Sequence, residues 1–125
     1  MAGPVVILYV CNENQVLGIR FILSIAGYSV LIANSSHSAL ENLRRHHVDL
    51  ILADQSLPRD RFEELLRNIK ELKRDLPIAL LVPSLRGRHA RNGRADIVLA
   101  KEMDPQDLLA AIAQALAKLP AVRAI

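Results

Sequence analysis

Five short apolar runs, Val5–Val10, Ser29–Ala33, Asp49–Ala53, Ile78–Val82 and Asp96–Ala100, recur along this chain with longer stretches of mixed polarity between them. Each run is strand-length and nearly continuous in apolar residues, the pattern of a strand covered on both faces. The intervening stretches have helical period. Val16, Ile19, Leu23 and Ala26 form one stripe, closed by Gly27, and Leu40 with Leu43 marks a shorter helix ending near His46-His47. Asp60 to Glu63 reads as a capping box ahead of an inward face of Phe62, Leu65, Leu66, Ile69 and Leu72. Asp104-Pro105 opens a last helix with Leu108, Ile112, Ala115, Leu116 and Leu119 inward. The order is βαβαβαβ, a loop, then βα. Strands joined by helical crossovers lie parallel, so the fold class is α/β, a doubly wound five-stranded parallel sheet with helices on both faces.

A chain of 125 residues with 51% hydrophobic content fits one domain, residues 1–125, with a core over 5–119 and a tail over 120–125. Only 3% of residues are aromatic and none is Trp, so the core is aliphatic and a base-stacking surface is not expected. Cys11 is the single cysteine, which excludes an internal disulfide and an all-cysteine metal site and suits the reducing cytoplasm. No apolar stretch approaches the roughly 20 residues of a membrane span, and the first run is too short and lacks the basic flank of a signal peptide.

The net charge of +3 is unevenly spread: residues 61–100 carry nine Lys and Arg against five acids. Four of these are Arg86, Arg88, Arg91 and Arg94, in the acid-free stretch PSLRGRHARNGRA, residues 83–95. That stretch reads either as a site for an anionic partner or as a solvated loop. No recognition helix accompanies it, so nucleic acid is not an expected partner. Gly87, Gly93 and the missing apolar stripe argue that 84–94 holds at most a short helical turn. The histidines, His37, His46, His47 and His89, have no metal-ligand spacing and are assigned to surfaces.

In an open parallel sheet, ligands bind beyond the carboxyl ends of the strands, where the winding reverses. That rule selects Cys11 to Glu13, Asp54, Val82 to Ser84 and Lys101. An acid directly after an apolar strand, as in LILADQSLP, needs a partner against desolvation, and Lys101 at the end of VLAK can supply it.

VDLILADQSLP around Asp54, AGYSVLIANSSHSALENL before it, and ADIVLAK with DPQDLLAAIAQAL after it resemble the receiver domain of two-component response regulators. The resemblance spans roughly residues 5 to 119. It implies the flavodoxin-like strand order 2-1-3-4-5, with the fourth helix here shortened or missing. It makes Asp54 the acceptor of a phosphoryl group from a histidine kinase and Lys101 the phosphoryl-contacting cation. Mg2+ would be held by Asp54 and by residues after the first strand, here Asn12 and Glu13. The implied partner is a signalling protein, a kinase or an output protein, and receivers also pair as homodimers.

Several positions depart from the family pattern. Cys11 and Asn12 stand where receivers carry two adjacent acids, and a thiol is a poor ligand for a hard cation. Val82 replaces a hydroxyl residue that bonds the phosphoryl oxygen, with Ser84 two residues further on. Val98 replaces the switch aromatic, and Glu102 replaces the proline after the lysine. A non-proline cis bond costs about 2.5–4 kcal/mol, so Lys101–Glu102 should be trans, and the altered loop path should displace Lys101 from Asp54.

VCNEN is also similar to the start of low-molecular-weight tyrosine phosphatases, whose loop requires an arginine six residues after the cysteine. Leu17 holds that position, and Arg20 falls about a helical turn too late. No enzymatic activity is expected, and Cys11 reads as a small, partly buried side chain at a strand end. The expectation is therefore an atypical receiver acting through protein contacts with weak or no Mg2+-dependent phosphorylation. The alternative is a working phosphoacceptor at Asp54.

Overall fold

The computed structural model describes residues 5–11, 16–54, 59–83 and 95–117. The elements run β1 (Val6–Val10), α1 (Val16–Ile25), β2 (Ser29–Ala33), α2 (Ser36–Arg45), β3 (Leu50–Asp54), α3 (Arg59–Leu72), β4 (Ile78–Val82), β5 (Ile97–Ala100) and α4 (Pro105–Ala117). All neighbouring strands pair in parallel, in the order β2-β1-β3-β4-β5. The chain winds outward from β1 in both directions, so the ends of β1 and β3 flank the reversal point. Residues 84–94, where a shortened or missing helix is expected, lie outside the described residues, as do Leu119 and the tail.

Period-two alternation sorts each strand between two apolar layers. Leu8, Val10, Ile51, Ala53, Leu80 and Val82 pack with Ala39 and Leu43 of α2 and Leu65, Leu66 and Ile69 of α3. Ile7, Tyr9, Cys11, Leu50, Leu52 and Leu81 pack with Leu23 of α1 and Leu108, Ile112 and Ala115 of α4. Every residue of β3 and β4 is fully buried, which is why those runs show no polar alternation.

Helix ends follow local chemistry. Gly27 has a φ of 98°, and its N–H donates to the Ser24 carbonyl while the Tyr28 N–H donates to that of Leu23, a Schellman ending that only glycine adopts without strain. Ser35 caps α2 by accepting from the Ser38 N–H at 3.1 Å. Pro105 takes the first position of α4, where its missing N–H costs nothing. Three readings need correction. Helix α3 begins at Arg59, so Asp60 lies inside its first turn and is not the residue before it. Leu72 is 39% exposed and Ala26 is also exposed: Leu72 is the last residue of α3, and Ala26 lies just past the end of α1.

Asp49 and Asp96 are not the first residues of β3 and β5, as the apolar pattern suggests; each stands just before its strand and clamps a neighbour. The Asp49 carboxylate accepts from the Val6 N–H at 2.9 Å, while its own N–H donates to the Val6 carbonyl at 2.8 Å. Asp96 repeats the arrangement on Ile78, with distances of 2.7 and 2.8 Å, and Lys70 joins its carboxylate at 3.3 Å. Each clamp satisfies a strand-end N–H that the ladder leaves over. Asp49→Ala should lower stability in urea unfolding by about 1–3 kcal/mol, the cost of leaving a sheltered donor unsatisfied. Asp96→Ala should cost less, because that side chain is 48% exposed against 13% for Asp49.

Candidate functional site

The site is assembled by three strand ends. The Cys11 N–H donates to the Ala33 carbonyl at 3.0 Å, carrying the β1–β2 ladder one residue further. Since Val10 pairs with Ala53, this extension sets Cys11 alongside Asp54, the last residue of β3. Across the sheet, the Lys101 N–H donates to the Val82 carbonyl at 2.8 Å, anchoring the backbone just past β5. The Met103 N–H then donates to the Ala100 carbonyl at 3.1 Å, closing a turn around Lys101 and Glu102.

No cis peptide occurs among the described residues, so the Lys101–Glu102 bond is trans. The expected displacement of Lys101 does not follow. Its Nζ lies 2.9 Å from Asp54 Oδ2, reaching over the end of β4. The ladder bond to Val82 and the closed turn fix where the side chain starts, so proline is not needed to aim it. Glu102 is exposed on the same turn.

Asp54 is the one fully buried charged residue among those described, with no exposed surface, whereas the Lys101 side chain is 26% exposed. A buried carboxylate is tolerable only when paired and hydrogen-bonded. The second donor in view is Tyr9, whose hydroxyl lies 3.4 Å from the same Oδ2, a long contact within a buried setting. Tyr9 and Cys11 project on one face of β1, two residues apart, toward α1 and α4.

Cys11 is fully buried, more so than the sequence reading allowed. Burial first, and then the Asp54 charge, push its thiol up from 9.0 to about 11, against opposing effects of a hydrogen bond with Tyr9 and the Lys101 charge. Burial and then Asp54 likewise push the Tyr9 phenol upward. Both groups are therefore neutral at physiological pH. The raised thiol has a thermodynamic consequence. Above pH 9 the unfolded chain gives up the Cys11 proton while the folded chain keeps it, so stability is full below 9 and lost toward about 11. The slope from this group approaches 1.4 kcal/mol per pH unit. Urea midpoints across this range should fall less steeply in Cys11→Ala than in the parent chain.

Val82 is fully buried and packs with Val10, Ala53 and Ala100 on the α2/α3 side, and Val98 is partly buried against the same cluster. Neither offers a hydrogen-bond donor from its side chain. Asn12, Glu13 and Ser84 lie outside the described residues. Of the groups that could hold Mg2+, the described part of the site presents one carboxylate, already engaged by Lys101, and one protonated thiol. A protonated thiol is a poor ligand for a hard cation, which takes oxygen ligands in octahedral array.

Tyr9 is the site residue the sequence reading passed over. Its spacing of two from Cys11 gave the shared face, but only the parallel register of β1 on β3 brings that face to Asp54.

The chain matches the response regulator receiver domain family over residues 11–113, and it belongs to that family. A receiver domain protein from Methanospirillum hungatei JF-1, described as CheY-like, shares 25% identity at a TM-score of 0.80, with 95% of this chain and 98% of that one covered. The signal receiver domain of an HD domain-containing protein from Pseudomonas fluorescens Pf-5 gives 25% identity and a TM-score of 0.80, covering 96% and 99%. NtrX from Brucella abortus, at 24% identity and a TM-score of 0.84, shares the fold over 97% of this chain and 28% of its own length. No match is found among curated proteins. Among the described residues no helix is long and apolar enough to cross a membrane.

Proposed function

We propose that this receiver domain is an atypical one, a cytoplasmic non-enzymatic signalling module that works through protein contacts and takes up phosphate on Asp54 slowly or not at all. The observation that carries the reading is the closure of the acceptor pocket on itself. Asp54 is sealed from solvent and held by Lys101 at 2.9 Å, and the neighbouring strand-end position is a neutral thiol in place of an acid. Phosphoryl transfer depends on cations that neutralise charge on the transferred oxygens, and among the described residues the pocket offers a cation one carboxylate, already paired with Lys101. Val82 adds to the effect, since the last residue of β4 is a buried valine whose side chain has no donor for a phosphoryl oxygen.

The protein-contact half of the reading draws support from α1. Phe21 and Ile25, one turn apart, are 66% and 69% exposed, an apolar pair available to a histidine kinase, an output protein or a second copy. A Mg2+ titration followed by amide resonances of residues 11, 54 and 101 tests the metal half. We expect no saturation at physiological Mg2+. Saturable shifts confined to these residues at that concentration would favour the working phosphoacceptor instead.

A further inference from the structure

We infer that Tyr9 is a positioning residue for Asp54, holding the acceptor carboxylate in its resting orientation from beneath the pocket. This rests on the reading of Asp54 as the acceptor position and adds a regulatory element within that site. The Tyr9 side chain is fully buried, yet its hydroxyl does not end in apolar surroundings; it reaches Asp54 Oδ2 at 3.4 Å. Lys101 Nζ meets that same oxygen from the solvent side at 2.9 Å. One carboxylate oxygen thus lies between a cationic donor above and a neutral donor below.

The placement follows from parity and register. Tyr9 and Cys11 share a face of β1, Val10 pairs with Ala53, and a tyrosine two residues down the strand is long enough to reach the end of β3. A phenylalanine there would fill the same volume and leave Asp54 one donor poorer. A donor on the acceptor oxygen restrains the carboxylate and withdraws electron density from it, so Tyr9 keeps the unphosphorylated pocket closed in the absence of a divalent ion.

The test uses the whole chain, metal-free, with Tyr9→Phe and, reciprocally, Asp54→Asn. In Tyr9→Phe the Asp54 side-chain carboxyl 13C resonance should move while those of Asp49 and Asp96 stay in place. In Asp54→Asn the Tyr9 ring carbon bearing the hydroxyl should move while that of Tyr28 does not. The unmoved probes report that the fold is intact, and the second variant serves if the first fails to fold. Unmoved Asp54 and Tyr9 resonances overturn the assignment, whatever the phosphorylation behaviour. With acetyl phosphate and Mg2+, Tyr9→Phe should label Asp54 about two- to tenfold faster than the parent, the factor that one net hydrogen bond represents. A rate equal to or below the parent's would also overturn the role. Rapid labelling of the parent itself contradicts the atypical-receiver reading and leaves the resonance test standing.

Discussion

Lys101→Met should be among the most destabilising single substitutions in this domain, lowering the free energy of unfolding by about 2–3 kcal/mol. Removing one member of a buried pair costs about 3–5 kcal/mol, because the remaining charge is stranded. The lower part of the scale applies here, since Lys101 is a quarter exposed while Asp54 is fully enclosed. The same reasoning predicts rescue. Asp54→Asn in the Lys101→Met background removes the stranded charge and keeps an oxygen for the Tyr9 hydroxyl, so the double variant should recover most of the loss. Urea unfolding of the four proteins gives the coupling. Additive losses would mean that the 2.9 Å contact contributes little to folding.

Restoring acids by Cys11→Asp with Asn12→Asp should have an effect of similar size and opposite dependence on metal. An acid at position 11 lies alongside the buried Asp54 with only Lys101 to offset both, and close like charges raise a carboxyl pKa by about 1–3 units. In metal-free buffer the variant should lose about 1.4–4 kcal/mol of stability. Millimolar Mg2+ should then return much of it, as any ligand of the folded state does. The parent chain, with its neutral thiol, should respond to Mg2+ far less. Equal responses in thermal unfolding would show that position 11 does not control cation affinity.

The sheet was readable from the sequence because its strands are buried on both sides. Ser29–Ala33 and Ile78–Val82 are strands to the residue. The first run is one residue too long at Val5, and the third and fifth differ from their strands at polar ends. Asp49 and Asp96 abut apolar residues and so seemed part of the strands, but their backbone and carboxylate clamp the neighbouring strand, a role set by pairing and invisible along one strand. Asp54 itself closes β3 and does not follow it.

At the site, Asp54 and Lys101 were legible because each ends an apolar run at the carboxyl edge of the sheet. Their 2.9 Å pairing persists without a proline at position 102, because a ladder bond to Val82 anchors the backbone of Lys101. Tyr9 was not legible. Within its own strand it reads as one more apolar core residue, and its meaning comes from register with a strand about forty-five residues away.

Intact mass after incubation with acetyl phosphate and Mg2+ tests the central claim most directly. The parent chain should remain at its unmodified mass, or gain one phosphoryl group only slowly, with little difference when Mg2+ is withheld. Rapid, Mg2+-dependent gain of a single phosphoryl group, abolished by Asp54→Asn, would contradict the account and make this domain a working phosphoacceptor.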